Sequence, residues 1–476
     1  MARDSYTSPL AGRYSSKEMK YVWSEENKFR LWRRLWFVLA RAQQRLGLPI
    51  TNEQLQQMED NINNIDYEAA EKLEGKLRHD VVAHIHVYGA AAPLAKPIIH
   101  QGATSCYVTD NADLIQIKQS IELLRVRIAR VISRLCGFAM EYRHLPTLGY
   151  THLQPAQPTT VGKRATLWLN DLLRNLQNLE RLDEDLRFRG VKGTTGTQDT
   201  FLKLFKGDHE AVKALDGLVT SAFRFTSCFS ICGQSYTRQQ DSEVVFPLSS
   251  FGATAIKMGN DMRLLQSFKE MEEPFAEEQI GSSAMAYKRN PMRMERACSL
   301  GRKLMKQVSL ALETHSQQWL ERTLDDSAIR RFVLPESFLL ADSIAIILQN
   351  VCEGLVVYPN VIKRRLMEEL PFMATEEIIL AMVDAGADRQ DCHKRIRDLA
   401  QAAGKRVKQD GLSNNLLEAI GADPYFTPVH NQLADVVDPS RFIGRAPEQV
   451  EEFAEVCRRA LEPYSGQLAE KSEIGV

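Results

Sequence analysis

The sequence predicts an all-α protein organised around a central bundle of long antiparallel helices, and three observations carry that reading. From Leu114 the apolar residues Leu114, Ile117, Ile121, Leu124, Ile128, Val131, Leu135 and Phe138 recur at alternating steps of three and four, the seam of one long helix. Leu169, Leu172, Leu176 and Leu179 repeat that spacing in a second stretch, from position 161 to 186, which Gly190 is expected to stop. Further helical patterns run near 236–269, 291–320 and 335–357, with few strand signals between them. Apolar stripes this long are buried by packing on one another, which makes a bundle.

In chain order, residues 1–104 mix short helical patterns with turns and form an N-terminal, mostly helical domain. Asp110 and Asn111 are expected caps of the first long helix, inside a central bundle domain spanning 105–357. Tyr358-Pro359-Asn360 breaks the last long helix and opens a small C-terminal helical domain, 358–476. A chain of 476 residues is long enough to bury a large core without staples, since folded surface scales to roughly 18,000 Å² against roughly 78,000 Å² unfolded.

Lysine and arginine number 60 and aspartate and glutamate 61, a balance that argues against gripping nucleic acid or an anionic membrane. Eight cysteines are scattered without a Cys-x-x-Cys pair and read as reduced thiols of a cytoplasmic protein. Met1 to Lys20 hold no apolar signal-peptide run, and Asp342 and Glu353 argue against a membrane span over 337–357. The expected partner is a small molecule or another protein.

Four stretches could carry chemistry. Gly281-Ser282-Ser283-Ala284-Met285-Ala286-Tyr287-Lys288-Arg289-Asn290-Pro291 leads into a helix, with Asn290 suited to the N-cap and Pro291 to the first turn. Arg293 and Arg296 follow where the helix dipole disfavours cations, a conflict that a bound carboxylate would resolve. An ordinary Gly/Ser hinge fits the same residues. His152 sits in a proline-stiffened loop between the first two long helices and suits proton transfer, or is simply solvated. His100 to Ser105 offers small polar groups to an anion, or a turn and cap. Arg322 to Arg331 packs three arginines and Ser327 into ten residues, as a phosphate or carboxylate clamp or a solvated charge run.

Metal readings are poor. Asp325-Asp326 lacks a third acidic partner for a magnesium-diphosphate site, and His84 and His86 point to nearly opposite faces of a helix. No zinc-hydrolase, serine-hydrolase, phosphate-loop or dinucleotide motif is present, so neither metal nor cofactor is expected.

The loop from Gly281 to Pro291 resembles the Gly-Ser-Ser-x-Met-Pro-x-Lys-x-Asn-Pro pattern of the fumarase/aspartase superfamily, with Ala286 in place of the usual proline. Thr147 to Thr160, Glu321 to Arg331 and Leu370 to Glu376 extend the resemblance over essentially the whole chain. The Lys-Arg-Asn-Pro ending points, within the superfamily, to the branch acting on succinylated purine nucleotides. The resemblance implies a three-domain lyase and a cofactor-free β-elimination of fumarate, giving AMP from one substrate and a carboxamide ribotide from the other. It implies Ser282 as base, His152 as acid, Glu295 as the carboxylate orienting that histidine, and Lys288 and Asn290 as holders of the succinyl carboxylate. Around the nucleotide and succinyl groups it places Arg13, Tyr14, Arg78, His79, Asp80, His100, Thr104, Ser105, Gln234, Arg296, Arg322, Ser327 and Arg331. Another superfamily lyase, acting on argininosuccinate or malate, and an inactive helical scaffold are the alternatives.

Helix length adds a geometric consequence. A first helix over 111–140 would span roughly 45 Å, with His100, Thr104 and Ser105 before it and His152 after it. If both groups belong to one site, another chain must bring them together, so a symmetric oligomer is required. The homotetramer with shared sites that the resemblance implies agrees with this.

Overall fold

The structure is a computed structural model that describes residues 4–474. Its principal elements are α1 (Glu25–Arg45), α2 (Asp80–Ala91), α3 (Ser105–Glu141), the strands β1 (Pro146–Thr151) and β2 (Gln154–Thr160), α4 (Val161–Asp185), α5 (Gln239–Ser267), β3 (Met271–Glu272), α6 (Met292–Ser316), α7 (Asp325–Glu353), β4 (Val356–Val357), α8 (Pro359–Met373) and α9 (Ala446–Leu461).

α3 is the axis of the molecule. Its 37 residues make a rod of roughly 55 Å, and the expected seam from Leu114 to Phe138 is wholly buried. The helix starts five residues before Asp110, so Asp110 and Asn111 are buried inside it rather than capping it. Asn111 instead exchanges side-chain hydrogen bonds with the backbone of Gly190, its amide donating to the carbonyl at 3.0 Å and its carbonyl accepting from the amide at 3.2 Å. Gly190 therefore does not stop α4, which ends at Asp185. Its φ of +77° is in the left-handed region, and a Cβ there would overlap the Asp216 carboxylate.

The expected loop after α3 is an antiparallel hairpin, β1 against β2. Its tip residues His152 and Leu153 have φ of +52° and +56°, the backbone of a type I′ turn built without glycine. α5 and α6 then approach closely through Gly252 and Gly301, where a Cβ on Gly252 would meet the Gly301 carbonyl oxygen at 3.1 Å. α7 is long and apolar enough to cross a membrane by composition, but 78% of that window is buried, which is how a core helix reads.

The expected C-terminal unit, 358–476, divides. α7 ends at Glu353 and Pro359 opens α8. Ile378, Met382, Cys392, Ile396, Leu416, Ile420, Phe426 and Val429 build a small core of their own. Beyond it α9 returns to the bundle, where Val450, Cys457, Leu461 and Tyr464 join the main core. Trp32, Trp36 and Tyr88, from the expected N-terminal domain, belong to that main core too.

Candidate active site

The start of α3 gathers one group of polar side chains. His79 accepts the Val82 amide as the cap of α2, and its Nε2 lies 3.4 Å from Ser105 Oγ. Arg331 reaches the neighbouring Asp80 carboxylate at 3.7 Å. Arg322 donates to Gln234 Oε1 at 3.1 Å and to the Cys106 thiol, next to Ser105. Thr104, as N-cap of α3, and Ser327, in the first turn of α7, are half-buried at the same end. Arg78 ends the helix before α2 in a left-handed conformation and is exposed. His100 accepts the Trp36 indole N–H at Nδ1, 2.8 Å away.

Beneath this group lies a buried ion network that sequence reasoning missed. Arg238 binds Asp110 at 3.0 Å and Asp326 at 2.6 Å. Arg330 binds Asp241 at 2.7 Å and Asp113 at 2.9 Å, and donates to the Tyr236 phenol at 2.7 Å. Burial opposes ionisation of Asp110, but the two guanidiniums outweigh it and hold that carboxyl below its ordinary range. The expected clamp of three arginines is therefore split: Arg330 is core, while Arg322 and Arg331 stay with the surface group. The available signal was the spacing of Asp326 and Arg330, four residues apart on the inward face of α7.

Arg13 and Tyr14 lie in a short turn, Leu10–Tyr14, tied to the middle of α7 by Ser15 Oγ donating to the Leu339 carbonyl at 3.1 Å and by the Ser16 amide donating to Asp342 at 2.7 Å. The Arg296 guanidinium lies 5.2 Å from the Tyr14 ring centre.

The opposite end of the bundle carries a second group. Ser282 Oγ accepts the amides of Ala284 and Met285 at 3.3 and 3.1 Å, in an exposed flap between Glu273 and α6. Asn290 donates its side-chain amide to the Gly281 carbonyl at 2.6 Å and so pins the two ends of the flap together rather than capping α6. Pro291 is the N-cap, and the carboxylate at the helix start is the protein's own: Glu273 accepts the amides of Arg293 at 2.9 Å and Met294 at 3.0 Å. The anion position inferred from sequence is thus filled by an internal side chain. Burial pushes the Glu273 carboxyl upward against those two amides.

Lys288 is exposed and makes no ion pair among the described residues, and Ile280 and Tyr287 also face solvent. Glu295 lines an open cleft of about 540 Å³ with Asn260, Arg263, Gln266 and Arg289. Its nearest cation is Arg263, at 4.0 Å. His152 is exposed at the hairpin tip.

Hairpin and flap share a foundation. Glu270, 1% exposed, receives Arg365 at 2.9 Å and lies 3.8 Å from Arg164. Arg164 also donates to the Leu148 carbonyl at 2.7 Å, and Arg365 to the Tyr150 phenol at 3.0 Å. One chain therefore places the hairpin and flap roots together at one end of α3, and the group around Ser105, Gln234 and Arg322 at the other.

The long-helix bundle is that of a lyase of the fumarase/aspartase superfamily, and the family matches assign the chain to it. Residues 8–306 match the Lyase family, and residues 371–453 match the adenylosuccinate lyase C-terminus. Among solved structures, a 3-carboxy-cis,cis-muconate lactonizing enzyme from Pseudomonas putida superposes with a TM-score of 0.82 at 20% identity, over 95% of this chain and 99% of that one. A fumarate lyase from Mesorhizobium gives 0.78 at 21%, over 95% and 99%. These share the fold.

Sequence narrows the assignment. The chain is 53% identical to an adenylosuccinate lyase of Saccharomyces cerevisiae over 98% of its length and 97% of the relative's. It is 51% identical to one of Schizosaccharomyces pombe over 98% of both. The chain belongs to the adenylosuccinate lyase family.

Proposed function

We propose that the protein eliminates fumarate from adenylosuccinate, leaving AMP, and performs the same elimination on succinyl-aminoimidazole-carboxamide ribotide, giving the carboxamide ribotide. The observation that carries the chemistry is the pair of amides on Ser282 Oγ. Serine is a poor base near neutral pH unless its alkoxide is stabilised, and two N–H donors already aimed at that oxygen supply part of the stabilisation before the flap closes.

In this reading Ser282 removes the proton from the succinyl β-carbon, and the carbanion is stabilised by its carboxylate, held by Lys288 and by the amide hydrogen that Asn290 has left. Collapse of the carbanion breaks the carbon–nitrogen bond, and His152 returns a proton to the departing nitrogen. Glu295 orients His152. The group around His79, Ser105, Gln234, Arg322, Ser327 and Arg331 holds the nucleotide, with His100, Arg13, Tyr14 and Arg296 beside it.

Because α3 separates that group from the flap by its whole length, a working site needs residues from several chains. Exposed apolar side chains on the bundle, Leu167 of α4, Phe246 and Leu264 of α5 and Leu312 of α6, support a homotetramer. Eight unpaired cysteines support a reducing, cytoplasmic setting.

The test is incubation of purified protein with adenylosuccinate in the presence of chelator. AMP and fumarate are expected in equal amounts, from a tetramer by light scattering. A well-folded oligomer that releases neither, or a fully active monomer, overturns the corresponding part. Malate or argininosuccinate turned over in place of adenylosuccinate would assign another substrate.

A further inference from the structure

His100 and Trp36 form a pair whose chemistry admits one arrangement. An indole N–H can only donate, so the 2.8 Å bond from Trp36 Nε1 makes His100 Nδ1 an acceptor. A neutral imidazole with Nδ1 accepting carries its proton on Nε2. Nε2 makes no hydrogen bond among the described residues.

The pair is held from several sides. Trp36 is 1% exposed. Seven residues further along α1, on the same face, buried Gln43 donates to the Gln101 carbonyl at 3.1 Å. Two α1 side chains thus grip consecutive residues of the turn, and His100 takes a φ of +67°, a backbone cost that such over-determination sustains at functional sites.

We propose that Trp36 is a positioning residue which fixes His100 in its Nε2–H form, so that the ring offers the substrate a single uncharged donor. This rests on the adenylosuccinate reading of the site. The surroundings keep the ring neutral. The ring meets the uncharged Trp36 indole edge-on, with ring centres 6.0 Å apart, Trp36 in turn packs on the Tyr88 phenol, and the titratable group beside it is the His79 imidazole. Burial, with a smaller contribution from His79, pushes His100 down to about 4. A neutral donor can hold an anionic oxygen without itself changing charge across the working pH range.

The test uses tautomer mimics and a double-mutant cycle, read as KM for adenylosuccinate and Kd for AMP. Gln places an amide N–H near Nε2, whereas Asn places one near Nδ1. His100→Gln is expected to hold both constants within about tenfold of wild type, and His100→Asn to raise them about a hundredfold, with kcat changing less. Trp36→Phe is expected to raise KM about tenfold in the wild-type chain and to leave it unchanged in the His100→Gln chain, which has no Nδ1 to hold.

A merely structural role for Trp36 would give the same rise in both backgrounds and would overturn the proposal, as would equal constants for the Gln and Asn variants. If Trp36→Phe does not fold, the Gln and Asn pair decides alone. A wild-type protein inactive on adenylosuccinate would remove the functional reading, while the ranking of AMP affinities still decides the tautomer.

Discussion

Tyr150 and Arg365 are 215 positions apart in the chain and joined by a 3.0 Å hydrogen bond, guanidinium to phenol. The bond ties the hairpin that ends in His152 to the first helix after the bundle. Because Arg365 also binds Glu270, at the root of the flap, one guanidinium sets the hairpin against the flap. Tyr150→Phe is expected to lower kcat several-fold while costing about 1 kcal/mol of stability. Arg365→Met leaves Glu270 with only the longer Arg164 contact and is expected to cost about 2 kcal/mol, read as a lower midpoint in denaturant titration. Unchanged kcat in both variants would show that the hairpin needs no such anchor.

Ser282→Ala and His152→Ala are each expected to abolish turnover with native circular dichroism and assembly, since neither side chain is part of the core. If sites are shared between chains, unfolding and refolding the two inactive proteins together should restore a fraction of wild-type activity, because some mixed oligomers would then contain sites with both intact residues. Mixtures that exchange subunits and stay inactive would count against shared sites.

The flap is closed on itself at its base, where a Cβ on Gly281 would overlap the Lys288 carbonyl. Gly281→Ala should therefore splay the flap and lower kcat/KM by at least about tenfold. The thermal midpoint should move little, because the segment is exposed. Wild-type kinetics in that variant would show that the flap works in another shape.

Glu273 supplies the negative end that the start of α6 requires. Glu273→Ala removes the acceptor of two amides and is expected to cost about 1–2 kcal/mol. Increased hydrogen exchange over residues 292–296 would locate the loss, and unchanged protection there would refute it.

His84 stacks on Phe29 with ring centres 3.8 Å apart, and burial, reinforced by Arg33, pushes it down to about 4. The unfolded chain takes up this proton near pH 6.5, and the folded chain only near 4. Stability contributed by neutral His84 is thus complete above about pH 6.5 and is lost as pH falls towards 4. His100 adds to the same window. His84→Phe should reduce the slope of unfolding free energy against pH there by up to about one proton. An unaltered slope would mean that the ring protonates inside the folded protein.

The bundle was legible in the sequence because burial along a helix repeats every three to four residues, and Leu114 to Phe138 write that period directly. The flap motif was legible too, since its residue types are local. What could not be read were partners distant in sequence. Asp110 and Asn111 look like caps by type, yet each finds its partner far along the chain, at Arg238 and at Gly190. Arg330 is indistinguishable in composition from Arg331, and only the packing of α7 sends one to the core and the other to the surface. The hairpin was hidden by its prolines, and its turn is built from His152 and Leu153 rather than glycine.

By itself, then, the sequence determined the long helices and the superfamily, both of which follow from local periodicity and motif. Tertiary structure alone decided which charges are buried, what fills the start of α6, which ring nitrogen of His100 meets the Trp36 indole, and that α3 holds the two groups of polar residues a full helix length apart. Those outcomes depend on distances between side chains remote in sequence, and the folded chain sets them by closing its core.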